Sequence, residues 1–320
     1  MSHAVTAVHG DAPTTFRRVQ TLINAAGADI AWDDPSPNAT HEDMLRSAAH
    51  TKTALVGYQH ARGEGLPPSV VLRDELGVYA QHRPIRPLPG VPVRHHDVDL
   101  LVVRETTEDV YAHLEHESIQ GVFESLKVTT EQAVARIARH AFETARQTGR
   151  PKVTIVHKAN IMKLSDGMFL RVAREVGASE FPEITCEDVI VDALCMKLVI
   201  DPSQFEVLLC GNLFGDIVAD LCAGLVGGAT NAPSINYGSD ATLFTAGHGD
   251  TPEVDGTDRA NPLPILLPAV HLLRHLGLDS EAERLHDAAA TALESGLPVA
   301  LGGDLSFSAF CDAIEQRLGA

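Results

Sequence analysis

The chain has 320 residues, 44% of them hydrophobic, which is enough for about two domains with sizeable cores. A net charge of −18 argues against a nucleic-acid or anionic-membrane surface, so an anionic ligand must meet Arg, Lys or a metal concentrated locally. Five cysteines without a C-x-x-C pair indicate neither a disulfide framework nor a zinc site and favour a reducing, cytoplasmic compartment; no apolar run approaches the ~20 residues that span a bilayer, and no secretion signal opens the chain.

Strand-like and helix-like segments alternate, the signature of an α/β protein. Residues 4–8 read as a strand, 16–26 as a helix, 33–38 as a Pro/Asp/Ser loop, 42–49 as a short helix and 53–57 as a strand. The proline-rich stretch 84–92 reads as a crossover between domains. Residues 99–103 read as a buried strand. Residues 129–149 read as a helix, with Thr129 or Thr130 as cap, Val134, Ile137, Ala141 and Ala145 as its apolar stripe, and Gly149 as its stop. Strands at 152–156 and 205–210 follow, then a Gly/Asn turn into a buried helix at 217–226. Three helices, 264–276, 280–295 and 308–318, close the chain.

Asp216 and Asp220 are spaced i,i+4, so their carboxylates share a helix face. Two such charges suit a hard divalent cation such as Mg²⁺, although a solvated acidic face has the same spacing. Asp192, inside the apolar run 189–193, reads as a buried carboxylate in need of a partner, with a metal as one candidate. Arg73 and Arg83 frame one short window, and Arg104 directly follows a strand, where α/β proteins place ligand groups. Their planar forks suit a substrate with more than one carboxylate; surface pairing with Asp74 or Glu75 is the alternative. Lys158 follows the strand 152–156 and Tyr111 lies seven residues past Arg104, which makes them candidates for base and acid.

The runs Arg104-Glu105-Thr106-Thr107-Glu108-Asp109-Val110-Tyr111, Leu114-Glu115-His116-Glu117-Ser118, His157-Lys158-Ala159-Asn160-Ile161-Met162-Lys163 and Asn212-Leu213-Phe214-Gly215-Asp216 resemble the isocitrate dehydrogenases. They belong within the metal-dependent β-decarboxylating dehydrogenases of isocitrate, homoisocitrate, isopropylmalate and tartrate. The resemblance is dense from Arg73 to Gly228 and returns at 248–262. It implies the two-domain fold of that family rather than a Rossmann fold, with a cofactor-side domain of residues 1–78 and 228–320 and a substrate, metal and dimerisation domain of 79–227.

The resemblance also implies roles. Arg73, Arg83 and Arg104, with Ser69 and Asn160, would hold the substrate. Tyr111 and Lys158 would be catalytic, and Asp192, Asp216 and Asp220 would bind Mg²⁺ or Mn²⁺. The implied reaction is oxidative decarboxylation of a 3-substituted malate in a homodimer, whose lysine and one aspartate reach across and whose clasp is formed around 127–182. A G-x-G-x-x-G is absent; His248, Gly249, Glu253 and Asn261 match the family's adenosine loop, and Glu253 implies NAD because a carboxylate repels a 2′-phosphate.

Two regions depart from the family. His9-Gly10-Asp11-Ala12-Pro13 replaces G-D-G-I-G-P-E, and residues 57–65 replace a T-P-x-G loop. In the substrate pocket Pro67 and Ser69 stand for a serine and an asparagine, Leu66 stands where the isopropylmalate branch has a glutamate, and Arg62 or His60 offers a different anion contact. These changes admit phosphonomethylmalate, isopropylmalate or homoisocitrate as substrate, or a regulatory paralogue without activity.

Overall fold

The computed structural model describes residues 2–35, 39–60 and 68–319, without the side chains of Pro68 and Ser69. The chain opens with β1 (His3–Val8), α1 (Pro13–Ala25), β2 (Ile30–Asp33), α2 (His41–Thr51), β3 (Thr53–Val56) and α3 (Pro68–Glu75). It continues through β4 (Val78–Ile85), β5 (Leu100–Glu105), β6 (Glu115–Ile119), β7 (Val122–Ser125), α4 (Glu131–Gln147), β8 (Lys152–His157), α5 (Ser165–Glu180), β9 (Thr185–Ile190), α6 (Val191–Ile200), β10 (Val207–Cys210) and α7 (Asn212–Leu225). It ends with β11 (Ser234–Gly238), β12 (Thr242–Thr245), α8 (Leu263–His275), α9 (Asp279–Ser295) and α10 (Phe307–Leu318). The class is α/β, as the alternation of elements indicates.

Two compact units divide these elements. One comprises residues up to Val78, Pro87–Arg94 and Gly227 onward; the other comprises Tyr79–Arg86 and His95–Val226. In the first, the strand order is β2-β1-β3-β12-β11, parallel except for the β11–β12 pair. Val5, Phe16, Leu55, Phe244, Leu266 and Phe310 belong to its core. Thr40 caps α2 reciprocally with Asp43, so both ends of that first turn are satisfied.

In the second unit the order is β4-β5-β10-β8-β9, with only β4 antiparallel. Strand β10 is buried at every position, as expected of a strand covered on both faces. Helix α4 buries Val134, Ile137, Ala141 and Ala145, and Thr130 is its cap.

Several expectations change. Pro84 lies inside β4, opposite Leu101, because the fixed φ of proline is compatible with extended backbone. Helix α7 begins at Asn212, so the expected turn at 211–212 is Gly211 as cap and Asn212 as first helical residue. Residues 127–182 comprise α4, β8 and α5 with their connections, and the exposed two-stranded element is β6–β7.

Candidate active site

Arg104 lies within β5, one residue before its end rather than after the strand, with its guanidinium buried between strand and helix. Its Nε and Nη2 donate to Asn212 Oδ1 at 2.9 and 2.7 Å, and Nη1 donates to Gln81 Oε1 at 3.3 Å and to Asp216. Gly215 makes this approach possible: a Cβ there would stand 2.6 Å from Arg104 Cγ. The other oxygen of Asp216 accepts from the Tyr111 hydroxyl, and Arg104 lies over the Tyr111 ring, 5.1 Å from its centroid. Burial, then the Asp216 hydrogen bond and charge, raise the Tyr111 phenol above its ordinary value and keep it protonated at neutral pH.

Arg83 projects from β4 toward the same helix face, 3.7 Å from Asp220. Burial lowers its pKa, while Asp220 and Asp216 oppose that effect. Its Nε and Nη2 are buried without a hydrogen-bond acceptor. Leaving charged donors unpaired costs more than leaving neutral ones, so these two nitrogens favour an anionic partner. Arg83, Arg104, Tyr111, Asp216 and Asp220 thus converge.

A second group lies on β8 and α6 of the same unit. Lys158 follows β8 and donates to Asp192, which holds the carboxyl below its usual range. Asp192 is not buried: in the first turn of α6 its side chain is 69% exposed, because that turn packs its apolar residue Leu194 inward instead. Asn160 is exposed in the turn after Lys158. Among the described residues, Asp192, Asp216 and Asp220 do not gather into one ligand cluster within a single chain. Their exposed carboxylates are nonetheless the hard oxygen donors that Mg²⁺ or Mn²⁺ takes.

The remaining candidates lie in the first unit. Arg73 is half-buried near the end of α3, which also carries Ser69. Arg62, Leu66 and Pro67 fall outside the described residues. His248, Gly249, Glu253 and Asn261 share one loop. A Cβ on Gly249 would meet Tyr58 Cβ at 2.6 Å, and the Tyr58 ring lies edge-on to His248 and His60. Glu253 is exposed, its pKa lowered chiefly by a hydrogen bond from Thr251. Asn261 is buried and caps Leu263 N with its side-chain oxygen. Asp255 anchors this loop to α1, accepting from Thr14 N, Thr15 N and the Thr15 hydroxyl at 2.8–2.9 Å. Asp11 accepts from His60 N and faces His60 Nδ1.

Residues 3–316 match the family model described as isocitrate/isopropylmalate dehydrogenase. The chain belongs to the isocitrate/isopropylmalate dehydrogenase family. It is 42% identical over 323 residues to the mitochondrial catalytic subunit 5 of isocitrate dehydrogenase [NAD] from Arabidopsis thaliana, covering 97% of this chain and 86% of that one. It is also 42% identical over 299 residues to the chloroplastic 3-isopropylmalate dehydrogenase of Solanum tuberosum, covering 90% and 84%. The crystal structure of isocitrate dehydrogenase from Methylococcus capsulatus superposes with a TM-score of 0.89 at 34% identity, covering 99% of this chain and all of that one.

Several residues that join these elements carry no motif that marks them. Asn212 lay within a quoted motif but carried no role, and Gln81 carried none. Asp109, Lys127 and Asp166 are 18 and 39 residues apart in sequence and meet only through the fold.

Proposed function

We propose that this chain oxidises and decarboxylates a 3-substituted malate of the isocitrate type, with NAD and Mg²⁺ or Mn²⁺, giving a 2-oxo acid, CO₂ and NADH. The observation that carries the reading is Arg83, a buried cation whose Nε and Nη2 have no hydrogen-bond acceptor and which lies beside Asp220 and the Arg104–Asp216–Tyr111 cluster. Arg83 and Arg104 bind substrate carboxylate, and Arg73 from α3 is the proposed third arginine. Asp216, Asp220 and an Asp192 would hold the metal, and the loop 248–261 would hold NAD. When bound, the metal polarises the C2 oxygen and NAD accepts hydride.

The chain's own groups move the protons. Lys158 assists loss of the C2 hydroxyl proton. Tyr111, kept protonated by burial and Asp216, donates to C3 after CO₂ leaves. One proton leaves oxygen and one returns to carbon, so the reaction is balanced in protons. A regulatory subunit without activity would have no need of the paired Lys158 and Asp192 or of the Tyr111–Asp216 hydrogen bond.

The active form is proposed to be a homodimer with shared sites. Exposed apolar side chains rim both half-sites: Ile161 and Leu164 beside Lys158, Met196 beside Asp192, Ile217 between Asp216 and Asp220, and Ile119 and Phe123 on β6–β7. A second copy covering them would carry its Lys158 and Asp192 to this chain's Asp216 and Asp220. No helix among the described residues is long and apolar enough to cross a membrane. The five free thiols support a reducing compartment, which we take as cytoplasmic.

The test is NADH production from isocitrate, homoisocitrate, isopropylmalate, tartrate, malate and phosphonomethylmalate with Mg²⁺ or Mn²⁺. Turnover of a 3-substituted malate that is abolished by EDTA and by Arg83→Met is expected. Absence of NADH with every substrate, or full activity in excess EDTA, overturns the reading.

A further inference from the structure

Lys127 lies in the short link between β7 and α4, its side chain largely buried. Its ammonium donates to Asp109 Oδ2 at 2.7 Å, lies 3.6 Å from Asp166 Oδ1, and lies over the Phe214 ring, 5.4 Å from its centroid. Each of these three groups belongs to a different part of the site.

Asp109 precedes the single helical turn Val110–Ala112 that carries Tyr111. It adopts φ +76° and ψ −150°, a region that a residue with a Cβ enters only when its surroundings hold it there. Its carboxylate accepts from Val110 N at 2.9 Å and from Leu213 N at 3.3 Å, and its backbone bridges Val128. It therefore sets both the Tyr111 turn and the first turn of α7, three residues before Asp216. Phe214 lies in that same turn of α7. Asp166, at the start of α5, accepts from Lys158 N at 2.7 Å and so fixes the backbone that presents Lys158.

We propose that Lys127 is a positioning residue that holds the Tyr111–Asp216 half-site and the Lys158 half-site in register. The proposal rests on the dehydrogenase reading given above. Two buried carboxylates, each placing backbone of a different half-site, share one cation; without it both are left without the partner that draws them together. A small cavity beside Lys127 is lined by Glu108, Phe169, Gly211 and Asn212 among others, so on that side the ammonium is held by its two carboxylates rather than by close packing. The Lys127 ammonium is taken up by Asp109 and Asp166, so its effect on rate passes through the groups it places.

Amide hydrogen exchange on the whole, substrate-free protein tests this without requiring turnover. Lys127→Met is expected to quicken exchange in segments 107–113, 211–216 and 156–160 together, while the interior of α4 keeps its protection. In the same variant kcat should fall about 100-fold, the usual scale for a misplaced reacting group, with KM for the hydroxy acid changed less than about threefold. Lys127→Arg, which restores the charge, should recover most of both. If Lys127→Met does not fold, Asp166→Asn is read instead; it keeps the Lys127–Asp109 pair and should loosen 156–160 while sparing 107–113. Exchange that quickens in only one of the three segments, that spreads through α4, or that follows the reverse pattern in Asp166→Asn overturns the proposal. Failure of the dehydrogenase reading shows separately, as absence of NADH from the unmodified protein.

Discussion

Replacing Gly215 with alanine sets two effects of similar size against each other. Within a helix, Gly→Ala ordinarily stabilises by about 1 kcal/mol, because alanine loses less backbone freedom on folding. At position 215 the added methyl meets Arg104 Cγ at 2.6 Å, Cβ at 2.8 Å and Cδ at 3.2 Å. Those atoms are the root of the arginine side chain, and its far end is fixed by Asn212, Gln81 and Asp216, so it cannot swing aside. Overpacking of this kind costs about 1–3 kcal/mol, so Gly215→Ala should be neutral to about 2 kcal/mol less stable in spite of its better helix propensity. With Arg104 in its proposed role on a substrate carboxylate, displacing it should cost a further ~1.5–3 kcal/mol of transition-state binding, or roughly 10- to 150-fold in kcat/KM. Urea unfolding and steady-state kinetics on the same preparation measure both quantities. A variant that is more stable by about 1 kcal/mol and retains full kcat/KM would refute the argument that Gly215 exists to admit Arg104.

Mixing inactive Lys158→Ala protomers with inactive Tyr111→Phe/Arg104→Ala protomers should restore some activity in heterodimers; no recovery, once subunit exchange is verified, counts against shared sites. Glu253→Lys should shift preference toward NADP⁺, read as the ratio of kcat/KM for the two cofactors, and an unmodified enzyme that already favours NADP⁺ would contradict the role given to Glu253. His140 is half-buried against His82 and Tyr79, and desolvation pushes its pKa down to about 4. The unfolded chain protonates it from about pH 6.5 downward while the folded chain resists until about pH 4, so stability should fall by about 3 kcal/mol over that window. His140→Gln should flatten the slope of unfolding free energy between pH 6.5 and 4, and an unchanged slope would assign the loss to other groups.

The α/β class was legible because apolar runs such as Val207–Cys210 need burial on both faces, and α4 because its stripe repeats at helical spacing. The i,i+4 pair in α7 was legible for the same reason: helix geometry is local. The buried placement expected of Asp192 failed because hydrophobic neighbours in sequence do not surround a residue in the first turn of a helix, where the side chain turns outward. Pro84 misled because proline density marks a linker only where no strand pairs with it. The Asp109–Lys127–Asp166 contacts had no local pattern at all, since each pair joins distant parts of the chain.

Asp255 satisfies the first free N–H groups of α1 and, through the same carboxylate, fastens the loop that carries Glu253. A loop already tied down surrenders little further freedom when a ligand arrives. With the dinucleotide role proposed for this loop, cofactor affinity and the melting of α1 would share one side chain, and a substitution at Asp255 would be felt in both.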